Sequence, residues 1–242
     1  MVFSKINRYI LVGVGSIFLG VSIFLAWPNM RVFLSQRFFT LGNYYFSEKA
    51  YNLNYAEKIY KIALQINPEM PNVHYQLARI YFLQGKFYVA RDMIDREIEK
   101  QPDFKRSFYI RGLINGYDGK FQEAIGDFEE FLKWKPSSWA ASNDLAWVYF
   151  QKGNFEKVSL VADNGLKNNQ NNPWLLNTKG LALYNLNKKN EASEYFKKAL
   201  IEAEKLGVQD WGKAYPGNDP AFSAQGLEQM LNAIKTNNGL PI

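Results

Sequence analysis

Between Pro71 and Phe104 the apolar positions fall into two short sets. Leu77, Ala78 and Tyr81 lie within one to four residues of each other and share one face of a predicted helix, while Ala90, Ile94 and Ile98, spaced by four, share one face of a second. Gly85 stands between the sets, where a left-handed residue closes a helix, and Lys86 follows where a cation suits the terminal carbonyls. Pro102 stops the second helix. The small Ala90 allows close approach and the larger side chains fill the space between the pair, so the spacing predicts a helix–turn–helix unit.

The same pattern recurs along the chain. Ala56, Ala90, Ala124, Val158 and Ala192 are each 34 residues apart, and Tyr60, Ile94, Phe128, Ala162 and Phe196 follow them by one helical turn. Gly85, Gly119, Gly153 and Asn187 keep that step, as do Pro68, Pro102 and Pro136, so the turns repeat with the helices. One such pair cannot bury its apolar face alone. Stability needs at least about three stacked units, and the ladders predict an all-α solenoid of about five.

This lattice resembles the tetratricopeptide repeat, whose pattern carries Leu-Gly, Tyr, Ala, Phe and Pro positions at the same period. The resemblance spans about residues 37 to 206 and rests on Leu77, Ala78, Tyr81, Ala90 and Pro102, then Gly112, Ala124, Phe128 and Pro136. Leu145, Ala146, Tyr149 and Gly153 carry it in the next unit, and Gly180, Ala192, Phe196 and Ala199 in the last. Arg111 and Lys179 depart from it at the usual leucine, Asn115 at the usual tyrosine, and Gln170 at the usual proline, with Pro173 three residues later. For the first unit, RVFLSQRFFTLGNYYF (31 to 46) is the expected first helix and YAEKIYKIAL (55 to 64) the second. Leu41 and Gly42 then match if the connection holds two extra residues.

The beginning of the chain has a different pattern. Between Arg8 and Arg31 lie 22 uncharged residues, and Tyr9 to Trp27 is a nearly unbroken apolar run. At about 1.5 Å per residue it can cross a hydrocarbon core of about 30 Å, with aromatic rings at both ends and Pro28 after it. A cleaved signal peptide would have a shorter apolar region, of about 7 to 15 residues, and a small-x-small site; here Phe24 precedes Ala26 by two. The expectation is an N-terminal transmembrane helix and a single-pass protein of the cell membrane. Lys5 and Arg8 on a short tail favour a cytoplasmic N terminus and repeats outside the cytoplasm. Residues 1-31 are thus the tail and anchor, 32-206 the solenoid, and 207-242 a loop, a C-terminal capping helix and a tail. Asp219 and Pro220 supply the N-cap and first position of that helix, with Phe222, Leu227, Met230, Leu231 and Ile234 as its apolar stripe through about Lys235.

Composition limits the chemistry. The net charge is +6, but Lys5, Arg8 and Arg31 precede every acid, and the remainder holds 26 basic against 23 acidic residues, too even to argue for nucleic acid. There is no cysteine and His74 is the only histidine, which excludes thiolate chemistry, histidine-based triads and multi-histidine metal sites. Gly85-Lys86 and Gly119-Lys120 lack the Ser or Thr and the leading glycine of a phosphate loop. Neither enzyme activity nor a cofactor, a metal or a small-molecule substrate is expected.

Contact remains. In the resembled family the concave surface is lined by the second, fifth, ninth, twelfth and thirteenth places of the first helices. Carried over, these are Asn72, Tyr75, Arg79 and Phe82; Arg106, Tyr109 and Tyr117; Asn143, Trp147 and Phe150; and Trp174, Asn177 and Tyr184. Rings supply area at low entropic cost and amides pair with a backbone, so the set suits a protein or peptide partner. The resulting expectation is a membrane-anchored interaction scaffold. The alternatives are a structural subunit of a larger envelope assembly and an accessory module of a partner enzyme.

Overall fold

The computed structural model describes residues 27–215 and 217–239. Within them the chain is helical, with no strand. Helix α1 covers residues 27–45. It is followed by α2 (Leu53–Ile66), α3 (Val73–Leu83), α4 (Phe87–Lys100), α5 (Arg106–Tyr117), α6 (Phe121–Trp134), α7 (Trp139–Gln151), α8 (Phe155–Leu166), α9 (Pro173–Asn185) and α10 (Lys189–Ala203). A seven-residue helix α11 (Val208–Ala214), a 3-10 turn (Pro220–Phe222) and α12 (Ser223–Asn238) complete the order. The apolar run from Tyr9 lies outside the described residues except for Trp27. Among the described residues no helix is long and apolar enough to cross a membrane.

Five helix pairs stack in sequence, α1/α2 to α9/α10. The turn ladder takes the backbone it was read to need: Gly85, Gly119 and Gly153 have φ of 70°, 78° and 68°, and Asn187 has 59°. In each turn the next residue's N–H reaches back to a carbonyl of the finished helix, as in Lys86 to Tyr81 at 2.8 Å and Lys188 to Leu183 at 2.9 Å. These bonds satisfy terminal carbonyls that a helix end otherwise leaves unpaired.

The small-residue ladder lies at the centre of the pairs. Ala56, Ala90, Ala124, Val158 and Ala192 are all 0% exposed, and of the residues one turn later none exceeds 2%. Packing there is volume-matched. A Cβ on Gly42, Gly112 or Gly180 would sit 2.5, 2.9 or 2.5 Å from the rings of Tyr60, Phe128 and Phe196, so the large aromatics require a bare backbone opposite. Where that position holds Ala78 or Ala146, the buried residue sixteen further on is Ile94 or Ala162. In the first unit the interval from Gly42 to Tyr60 is longer by the two residues anticipated for its connection, although Leu41 itself stays 38% exposed.

The departures from the leucine position have a physical reason. Arg111 binds Asp127 on α6 at 2.7 Å and Asp95 on α4 at 3.0 Å, sixteen residues ahead and sixteen behind. Lys179 does the equivalent with Asp163 at 2.6 Å behind and the ring of Tyr195 at 5.9 Å ahead. Asn115 belongs to the first cluster: it donates to Asp127 at 2.8 Å and accepts from Arg91 at 2.7 Å. Arg111 and Lys179 thus link consecutive second helices through a charged side chain of the first helix between them. Glu97, 1% exposed, caps α3 by accepting from the N–H groups of Asn72 and Tyr75 at 2.9 and 3.2 Å.

The C-terminal part differs in detail from the sequence reading. The stretch around Trp211, expected as a loop, forms α11, whose Gly207 N–H donates to Asp210 at 3.0 Å. Asp219 caps the 3-10 turn by accepting from Ala221, and Pro220 opens that turn rather than the α-helix itself. Helix α12 continues through Asn238. Its Ile234 packs with Leu176, Ala199 and Ala203 of the last pair, covering the apolar end of the stack.

Candidate functional site

The first helices of neighbouring pairs approach one another, α3 to α5, α5 to α7 and α7 to α9, whereas consecutive second helices make no comparable approach. Stacked elements that are closer on one side curve toward it, so the first helices line the inner, concave face. A hydrogen-bond ladder holds them there. Gln76 donates to Asn43 at 3.1 Å, Tyr109 to Asp144 at 2.6 Å, and Thr178 to Asn143 at 2.9 Å. Asn177, 34 residues beyond Asn143, accepts from Asn237 of α12 at 2.9 Å, so the cap takes the place of a further first helix.

The anticipated groove residues divide between this ladder and an aromatic tier. Tyr109, Asn143 and Asn177 are engaged by the neighbouring helix. Phe82, Tyr117 and Trp147 form a continuous run across α3, α5 and α7: Phe82 and Tyr117 meet edge-on at 5.3 Å, and Tyr117 stacks on Trp147 at 5.0 Å. Tyr117 is nevertheless 58% exposed. Gly116 makes the stacking possible, since a Cβ there would lie 3.0 Å from the Trp147 ring. Trp174 stacks on Trp139 at 4.8 Å. Tyr75 meets Phe104 edge-on at 5.1 Å, and the Arg79 guanidinium lies 4.6 Å from the Phe46 ring centre. Phe150 packs on Phe155 at 5.4 Å, and Lys189 lies 5.8 Å from the Tyr184 ring. Arg106 is exposed. Asn72, in the left-handed region at φ 65°, starts α3, where its backbone meets Glu97.

The concave face is not bare. The segment after α10 passes along it, with Tyr215 edge-on to Trp174 at 6.3 Å and Gly217 beside Arg79 and Phe46. Trp211, Asn218 and Asp219 share a cavity of about 430 Å³ with Tyr51, Leu53 and Leu83 from the opposite end of the array.

Burial sets the electrostatics of this face. Desolvation raises the Asp144 carboxyl to about 6, against the opposing effect of the hydrogen bond from Tyr109. Tyr109 itself is pushed well above the usual phenol range by burial and then by Asp144. Tyr215 rises to about 12, again through burial and then Asp144. Tyr51 rises to about 12 through burial and the nearby Asp219. Such phenols stay protonated donors at physiological pH. No group of three acidic or histidine side chains among the described residues could hold a metal ion.

Asp144, Thr178, Trp139 and Tyr215 were absent from the sequence reading of the site. For the first two a signal existed: Tyr109 with Asp144 and Asn143 with Thr178 are polar pairs at one constant spacing of 35.

A superhelix of helix pairs lined by its first helices defines the class of protein: a helical repeat array. Comparison with known proteins points to the particular kind, since residues 109–157 and 175–200 match tetratricopeptide-repeat families, and these two stretches carry such repeats. It is 30% identical over 87 residues, 36% of its length, to the human FK506-binding protein-like protein. It spans only 18% to 25% of the length of the curated relatives it matches. Among solved structures, a MamA protein aligns with a TM-score of 0.62 at 20% identity over 75% of this chain and 95% of its own. YrrB, described as a tetratricopeptide-repeat protein with an unusual peptide-binding site, aligns with a TM-score of 0.58 at 13% identity over 69% and 86%. At these identities the structures speak for the fold. The repeats give the chain the build of a protein-interaction scaffold.

Proposed function

We propose that this chain is a membrane-anchored scaffold that binds a polypeptide segment along its concave face, with Phe82, Tyr117 and Trp147 as the central aromatic surface. The observation that carries this reading is the combination of stacking and exposure at Tyr117. A ring held at 5.0 Å from Trp147 yet 58% exposed is preorganised for a ligand, which limits the entropy lost on binding. The apolar run from Tyr9 to Trp27 supplies the anchor, and the basic residues before it favour repeats on the outer side of the cytoplasmic membrane. Trp27, the last residue of that run, already lies in α1, so the groove lies close to the bilayer.

The reading is tested in intact membranes with a photo-cross-linking amino acid in place of Tyr117. The expected result is a discrete protein adduct that is lost when Trp147→Ala is added, in a variant that circular dichroism shows to keep the helical fold although its packing on the core costs some stability. An adduct that persists in Trp147→Ala, or none at all, contradicts the reading. Protease added outside sealed cells checks the orientation: digestion of the repeats is expected, and complete protection reverses the assignment.

A further inference from the structure

The groove already holds a polypeptide, which is the chain's own. Leaving α10, the segment forms α11 and then turns along the concave face toward the first pair. Tyr215 contacts Trp174 on α9, and Asp144 and Tyr117 lie near enough to bear on its hydroxyl. Two residues later Gly217 reaches Arg79 of α3 and Phe46 after α1. At that point the passage is narrow: a Cβ on Gly217 would lie 2.8 Å from the guanidinium and 3.4 Å from the Phe46 ring, and φ is +99°. Glycine is the residue that takes this backbone without strain. Asp219 then comes close to Tyr51, and α12 returns the chain to the last pair.

The manner of attachment differs from that of the repeats. No residue of α11 is buried, and Trp211 and Tyr215 are only partly so. Helix α11 leans on α12, where a Cβ on Gly226 would lie 2.5 Å from the Trp211 ring, while Tyr215 and Gly217 are held on the concave face by side-chain contacts and not by a core, which places this stretch among the easily opened parts of the fold. It is tethered at both ends, by α10 and by α12.

From these contacts we infer that Tyr215 and residues 217–219 are an intramolecular occupant of the binding groove, and that the external ligand is a polypeptide segment of the same chemistry, an aromatic residue two positions before a glycine, which binds by displacing it. This rests on the groove being the binding face, and it adds what is recognised there. The aromatic residue fits beside Trp174, and the glycine passes between Arg79 and Phe46. Because the built-in segment is tethered, it competes at an effective concentration in the millimolar range, so only a ligand with a closely matching or better fit gains entry.

The test uses a fluorescent synthetic peptide with the sequence of residues 208–222 and the full chain, in three forms: unaltered, Gly217→Val and Tyr215→Ala. Either substitution weakens the docked segment, the first through its backbone and the second through the lost ring. Circular dichroism establishes which variants keep the helical fold, and two independent variants guard against failure of one. The expected result is binding to a folded variant at least about tenfold tighter than to the unaltered chain, and loss of that binding when the tyrosine of the peptide is replaced by alanine. Equal binding to all forms, no binding to a folded variant, or indifference to the peptide's tyrosine overturns the inference. A Tyr117 adduct that still depends on Trp147 in those circumstances leaves the groove reading intact and removes only the internal occupant.

Discussion

The hydroxyl of Tyr109 donates to the carboxylate of Asp144 across 2.6 Å, joining two neighbouring first helices on the inner face of the coil. Burial raises the Asp144 carboxyl from an ordinary 3.8 to about 6, so the folded chain holds this proton more tightly than the unfolded one. Stability contributed by the protonated form is therefore present below about pH 4 and is lost as pH rises through about 6. The loss is at most about 3 kcal/mol, at about 1.4 kcal/mol per unit, and less where water reaches the side chain. Urea unfolding of the unaltered chain and of Asp144→Asn should show the difference between them growing in favour of the variant over that window. A difference independent of pH would remove Asp144 from this role.

Gly180 and Gly126 are both helical glycines but should respond oppositely to alanine. At Gly180 the new Cβ would be 2.5 Å from the Phe196 ring, and overpacking of this kind costs roughly 1–3 kcal/mol. At Gly126 nothing lies within 4 Å, and Gly126→Ala should stabilise by about 0.4–1 kcal/mol through the unfolded chain. Thermal melts of the two variants decide it. In the double variant Gly180→Ala, Phe196→Leu the cost should shrink, since the clash and its partner are removed together.

Much of this architecture is legible in the sequence because it is local and repeated. The step of 34 fixes the buried ladder from Ala56 to Ala192 and the left-handed turns from Gly85 to Asn187, whereas the match of a glycine to each large aromatic is a matter of volume across the helix pair. Helix α11 did not emerge, since Gly212, Gly217 and their neighbours read as turn formers and no residue of that helix is buried to leave a periodic trace. The face of the first helices could be carried over from the resembled family. For the partner of Asn143 the constant spacing to Thr178 was the one signal, and for that of Asn177 there was none, because Asn237 reaches it across 60 residues through the folding-back of α12.

Arg111 at a leucine position gives a third prediction. Asp127, with its side chain 6% exposed, depends on this guanidinium, so Arg111→Leu leaves a buried carboxylate uncompensated and should cost about 3–5 kcal/mol. The pair Arg111→Leu, Asp127→Leu should recover most of that. Denaturant midpoints for both test it, and a double variant as unstable as the single one would mean that the charges do more than compensate each other.

Asn187 does naturally what glycine does in the other turns, at φ 59°. Gly119→Asn should consequently cost little, whereas Gly119→Val, β-branched at φ 78°, should cost about 1–3 kcal/mol. Comparison of their melting temperatures checks the ranking.

Repeat arrays are ordinarily open springs: tension on the two ends is shared among unit interfaces, each of which bends a little. Here Gly212 stands by Glu48 and Gly217 by Phe46, while α12 is fixed to α10, so first and last units are bridged by a second path. Such a molecule has two elastic regimes, stiff while the bridge is seated and compliant after it peels. Its extension under load reports whether the bridge is seated.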